Sequence, residues 1–241
     1  RYPATLADPL GDPRHEYGSS AGTGTGALVL GDADGVVFDV FAPRDGYYTL
    51  TARHIGGPLA LAVHGATLTA APDRPLRVLL QAGNNRITAT GPAAVRSLDV
   101  TGAGDTAGIA GYAAGAAAVT GRARLVGGHL GWLGGPDTEA RWTVDAQRAG
   151  RHLLFLHYAN DDRGPGDHDY NADVISRTAD LRVDEGPPRR LTFRTTYSWT
   201  DFRSLAVPVT LKRGANTLAL SNPTGFAPDL AGVLIGHVLG D

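Results

Sequence analysis

The chain has 241 residues, 42% hydrophobic and 19% charged, enough apolar material for a buried core and too little polarity for a disordered chain. Its formal net charge of −2 offers no basic face for nucleic acid or an anionic membrane. With no cysteine, disulfides, thiolate zinc sites and cysteine nucleophiles are excluded.

Gly 33 and Pro 15 make up about a fifth of the sequence, an excess that fits many-turned β proteins better than helical bundles. In chain order, GSSAG at 18–22 fits G-x-S-x-G, yet a nucleophile elbow needs a strand before it and a helix after, and neither flank supplies one. Residues 36–54 predict a β-hairpin. Val36, Phe38 and Val40 alternate with Val37, Asp39 and Phe41; after a turn at Asp45 and Gly46, Tyr48, Leu50 and Ala52 share one face. Residues 77–90 predict a second pair of strands around a glycine turn. TGAGDTAGIAG at 101–111 is the expected domain boundary. Its GAGDTA fits a dinucleotide fingerprint, but glycines follow it and no βαβ series does. The longest uncharged run, 106–121, is too short and small-residued to span a bilayer, and the start at Arg1 has no signal-peptide pattern, so a soluble chain is expected.

Both hairpins then recur. At an offset of 104, Trp142 and Val144 fall on Phe38 and Val40, Gly150 on Gly46, and Leu154 and Leu156 on Leu50 and Ala52. At an offset of 131, Val209, Leu211, Gly214, Asn216 and Leu218 fall on Val78, Leu80, Gly83, Asn85 and Ile87. The expected architecture is all-β, two tandem β-sandwich (jelly-roll) domains at 1–105 and 106–241. Between its matched hairpins the second copy holds 27 residues that the first lacks. They fall in YANDDRGPGDHDYNADVISRTADL (158–181) and RTTYSWTDF (194–202), and such additions often carry function.

The segments GGHLGWLGGPDTEARWTVDAQRAGRHLLFLHYAND, SRTADLRVDEG, TYSWTDF and VPVTLKRGANTLALSNPTGFAPDL cover most of 125–230. Together they resemble carbohydrate-binding modules of family 35, relatives of family 6. The first half looks like a shorter relative. The resemblance implies a β-sandwich appended to a secreted glycoside hydrolase, non-catalytic binding of a polysaccharide or oligosaccharide that targets the tethered catalytic domain, and often calcium. A secreted, extracellular monomer without nucleic-acid or membrane partners is the expectation. The family commonly opens on a strand whose carboxylates hold a structural calcium, whereas here Tyr112 is followed by Ala113, Ala114 and Gly115; in the first copy Asp8 and Asp99 lie near the corresponding places.

Sugar recognition needs an aromatic face for the C–H side of the ring and hydrogen-bonding groups for its hydroxyls. The candidates are Trp199, Tyr170, Asn160, Asp161, Asn222 and Trp132. If 194–202 is extended, alternation puts Tyr197 and Trp199 on one side; Trp199 is then either a platform or a core residue. Trp132 serves either loop packing or ligand contact, and Trp142 belongs to the core. Asn222 is either the amide that this family's loop often offers to sugar or the start of an Asn-Pro turn. Asp167, Asp169, Asn171 and Asp173 space four oxygen ligands as a calcium loop begins, yet Ala172 and Thr178 stand where an EF-hand needs Gly and Glu. The other reading of that stretch is a solvated, turn-rich loop. Two rivals stay open: a β-sandwich lyase or hydrolase using the acidic loop with His168 or His157, and a structural or adhesion module packing against a neighbouring domain.

Overall fold

The computed structural model describes residues 1–17, 26–164 and 175–239. Contacts divide the chain into two compact units, Arg1–Gly108 together with His237–Asp241, and Ile109–Gly236. The first contains β1 (Tyr2–Pro3), β2 (Asp8–Leu10), β3 (Arg14–Glu16), β4 (Ala27–Leu30), β5 (Gly35–Ala42), β6 (Gly46–Gly56), β7 (Leu59–Val63), β8 (Ala66–Ala70), β9 (Pro75–Leu80), β10 (Gly83–Thr90) and β11 (Ala93–Asp105). The second contains β12 (Ile109–Ala113), β13 (Ala118–Val119), β14 (Arg124–Val126), β15 (His129–Gly131), β16 (Glu139–Ala146), β17 (Gly150–Ala159), β18 (Arg177–Val183), β19 (Arg189–Phe193), β20 (Arg203–Leu211), β21 (Gly214–Ser221) and β22 (Asp229–His237).

Strand for strand, the second unit repeats the first. The first has sheets β3-β4-β11-β6-β9, with β1 also on β11, and β2-β5-β10-β7-β8; the second has β14-β15-β22-β17-β20, with β12 on β22, and β13-β16-β21-β18-β19. The all-β, two-sandwich class is therefore what forms. Registers repeat too, with Ile87 opposite Phe38 in the first unit and Leu218 opposite Trp142 in the second. The Tyr2 hydroxyl accepts the Phe41 N–H at 3.0 Å, and the Tyr112 hydroxyl accepts the Asp145 N–H at 2.8 Å.

The second core draws on both of its sheets: Trp142 and Leu218 from one, Leu154 and Leu156 from the other, with Phe193 beside them. Trp142 is wholly buried, and its indole N–H donates to the Ala113 carbonyl at 3.1 Å, so the ring's one polar atom stays satisfied in the interior. Period-two alternation explains the pattern, since β16 buries Ala140, Trp142, Val144 and Ala146 and leaves 141, 143 and 145 exposed.

The glycine-rich stretch 101–111 is mostly strand: β11 runs to Asp105 and β12 begins at Ile109. Its glycines serve a bulge. The β11/β6 register shifts between Thr101 and Asp105, and a Cβ on Gly46 would lie 2.5 Å from the Gly104 carbonyl carbon. After β22 the chain returns to the first unit. Val238 is buried, its carbonyl accepts the Leu79 N–H at 3.2 Å, Leu239 bridges to Val78, and the Tyr47 hydroxyl donates to the His237 carbonyl at 2.7 Å. The first unit is thus closed by residues more than a hundred positions away. Burying one valine is worth roughly 1.5–3 kcal/mol, so truncation after Gly236 is expected to destabilise the first unit by about that much. Faster hydrogen–deuterium exchange at Leu79 is the measurement that checks it.

Candidate functional site

The two units differ in the loops. Connections 132–138, 160–176, 194–202 and 222–228 of the second unit stand where the first has only 31–34, 57–58, 71–74 and 91–92. Residues from all four regions, or from the strands that they lead into, meet around one cavity of about 260 Å³ lined by Trp132, Arg177, Trp199, Phe226 and Asp229.

Two buried asparagines hold these loops. The Asn160 amide donates to the Ile175 carbonyl at 2.7 Å and the Phe193 carbonyl at 3.2 Å, and its Oδ1 accepts the Asp162 N–H. Its backbone accepts the Thr196 N–H at 2.7 Å. The Asn222 amide donates to the Thr178 carbonyl at 2.8 Å, while its Oδ1 accepts from the Thr224 N–H and hydroxyl. Its own carbonyl accepts the Gly135 N–H at 2.9 Å, tying the first of the long loops to the last. Asn160 is 0% exposed and Asn222 3% exposed, so neither presents its amide to the cavity as read from sequence; both position its walls instead.

The aromatic walls come from the two candidate tryptophans. Trp132 is 51% exposed with φ 61, a left-handed conformation uncommon for so large a residue, and it meets Phe226 edge-on at 6.2 Å. The Arg124 guanidinium lies over its ring at 4.9 Å. Trp199 is half-buried, with Arg177 4.7 Å from its ring centroid. Arg177 also donates to Asp162 at 3.0 Å and to the Ala227 carbonyl at 2.9 Å, which fixes its guanidinium plane.

The stretch 194–202 is not the extended strand on which alternation would set Tyr197 beside Trp199, and Tyr197 does not line the cavity. The Thr195 hydroxyl accepts the Tyr197 N–H, the Thr196 hydroxyl donates to the Ser198 carbonyl, and the Ser198 hydroxyl accepts the Thr200 N–H. These local bonds displace a strand, put Tyr197 at φ 61 and leave it 63% exposed. Asp161 is held at 3.3 Å by Arg163 and does not line the cavity. Tyr170, His168, Asp167, Asp169, Asn171 and Asp173 lie outside the described residues, as does the string at 18–22.

Asp8 and Asp99, the pair set against the family's calcium strand, lie in different sheets. Asp8 lies in the sheet of β2 and Asp99 in that of β11, where Arg53 binds its carboxylate at 2.9 Å and the Ser97 hydroxyl donates to it. Among the described residues no group of three or more His, Asp or Glu could hold a metal ion.

Arg177, Phe226, Asp229 and the neighbouring His129 carry no local motif in the sequence. Arg177 opens SRTADL and Phe226 and Asp229 lie in TGFAPDL, within the segments that carry the resemblance, but only the third dimension gathers them. His129 Nε2 lies 3.2 Å from Asp229 Oδ2. Burial raises the Asp229 carboxyl above its ordinary value, against the opposing charges of His129 and Arg177.

No family model matches the chain, and no curated protein does. Among solved structures it is similar to a family 35 carbohydrate-binding module from Clostridium thermocellum, at 24% identity and TM-score 0.46 over 53% of this chain and 98% of that one. It is also similar to an exo-beta-1,3-galactanase from Phanerochaete chrysosporium with galactose, at 15% identity and TM-score 0.46 over 95% of this chain and 69% of that one. A third is a mannan binding module in bound conformation, at 19% identity and TM-score 0.41 over 54% of this chain and 99% of that one.

Asn160→Ala removes the donor from the buried Phe193 carbonyl and from the part-buried carbonyl of the exposed Ile175, and leaves the Asp162 N–H without its acceptor; a buried polar group left unpaired costs about 1–3 kcal/mol. The second unit is expected to lose about 2–4 kcal/mol in a urea titration, with the first unit unchanged.

Proposed function

We propose that the second unit binds a saccharide in the cavity between Trp132, Trp199 and Phe226, and that it does so without catalysing its breakdown. The observation that carries this is the placement of two tryptophans at one cavity made by the connections that the second copy has lengthened. An indole face packs on the apolar C–H side of a pyranose, and rings held in place in advance lose little entropy on binding. The cavity, at about 260 Å³, lies just below the roughly 300–1,000 Å³ of drug-sized ligand sites, a size suited to one sugar ring at a chain end or branch.

The first unit, with connections of two to four residues at the same positions, shows no such walls among its described residues, and its part in this reading is that of a scaffold. In a secreted polysaccharide-active enzyme, the cavity would raise the local concentration of a tethered catalytic domain at its substrate. The oxygen-rich stretch 167–173 would supply calcium ligands if the ion takes part.

A glycan array with mannan, galactan and glucuronoxylan, run with and without a chelator, tests the reading. Retention of at least one is expected without release of new reducing ends or unsaturated products; such products would replace binding by catalysis. Trp199→Ala is expected to weaken retention about tenfold or more while the second unit keeps its thermal transition. Normal binding by that variant would move the site elsewhere.

A further inference from the structure

Asp229 and His129 stand beside the aromatic walls without belonging to them. They open β22 and β15, which pair antiparallel with Leu130 opposite Leu230. Residue 131 then faces residue 229, and residue 129 lies diagonally from it on the same side of the sheet. Position 131 is glycine, and a Cβ there would lie 3.3 Å from Asp229 Oδ1. The bare backbone leaves the carboxylate its place.

His129 reaches Oδ2 at 3.2 Å, with its own ring packed against Phe202 at a centroid separation of 5.5 Å. The other charge facing Asp229 is Arg177, itself paired with Asp162. Arg122 and Arg124 lie over the rings of Phe226 and Trp132. One carboxylate oxygen is therefore anchored, and among the described residues the other accepts no hydrogen bond while its side chain borders the cavity.

We propose that Asp229 is the hydrogen-bond acceptor that orients the sugar in this cavity, and that His129 is the positioning residue that holds its carboxylate there. The inference rests on the saccharide-binding reading. A carboxylate only accepts, so it selects a ring edge that presents hydroxyl hydrogens, and bonds to a charged acceptor are roughly twice as strong as neutral ones.

The pH dependence follows in sign. Burial raises the Asp229 carboxyl, so the ionised acceptor is lost as pH falls while still above the ordinary carboxylate value of about 3.9. His129 opposes that rise. Replacing it moves the loss to higher pH.

Affinity electrophoresis of the full chain on mannan, galactan and glucuronoxylan, from acid to neutral pH, reads these effects. On any polysaccharide that the wild type retains, Asp229→Asn is expected to weaken binding about tenfold or more at neutral pH and to remove the acid limb. His129→Gln is expected to bind at neutral pH and to lose binding at a higher pH than the wild type. Unchanged affinity and pH profile in Asp229→Asn overturns the acceptor role. If the wild type retains none of the three, the binding reading fails and takes that role with it. Carboxyl-carbon NMR of Asp229 decides the positioning role without any glycan: its midpoint moves up in His129→Gln, and an unmoved midpoint overturns it.

Discussion

Each sandwich turns on one buried amide at the corner where the chain crosses between sheets. In the first unit Asn85 Oδ1 accepts the Gln81 N–H at 2.9 Å, and its amide donates to the Gln81 carbonyl at 2.9 Å and the Gly83 carbonyl at 3.1 Å. In the second, Asn216 does the same with Lys212 and Gly214, at 2.8 to 2.9 Å. Both side chains are buried, and Gly83 and Gly214 beside them sit at φ 93 and φ 88, where other residues are strained. The amide stands in for the strand partner that the backbone lacks at the crossing. It also sets Gly83 opposite Ala42 and Gly214 opposite Ala146, and thereby the register of the central strand pair. The long connections 194–202 and 222–228 leave from the other ends of these strands, so fixing the corner frees them to lengthen without shifting the core.

What was legible in the sequence follows from that division. Period-two alternation and glycine turns mark the strands, but β5 and β6, like β9 and β10, lie in different sheets, so the pairs expected as hairpins are crossings between sheets; the correspondence of Asn85 with Asn216 is visible as a repeat although its role as a clamp is not. The surplus in the second copy points to the stretch that supplies Arg177 and Trp199. A loop amide looks the same in a sequence whether it faces a ligand or a carbonyl; burial distinguishes them, and it turns Asn160 and Asn222 inward. Alternation fails for Tyr197 because hydroxyl side chains offer its backbone nearer partners than a strand. His129 and Asp229 are brought together by a single strand pairing that no local pattern announces.

The plain copy reaches the same fold with other means of closure. Arg53 joins Asp99 to Asp73, and Arg1 approaches Asp99 at 3.6 Å, ties between partly exposed groups that contribute little each. The larger contribution is apolar: Val238 and the bridge at Val78 cover the outer edge of β9, which a sheet otherwise leaves open to another chain.

The rigidity of the cavity is the last step. Holding Trp132 at φ 61 costs on the order of 1–3 kcal/mol, which surrounding contacts must offset. The Arg124 guanidinium over its face and the edge of Phe226 are the contacts at hand. Arg177 plays the corresponding part at Trp199, its guanidinium over the ring while its N–H groups are engaged by Asp162 and the Ala227 carbonyl. A guanidinium bonded on its edge is fixed in plane, so the indole it supports is fixed as well. Both aromatic walls are therefore set by the protein before anything enters, which removes an ordering cost that binding at the cavity would otherwise bear.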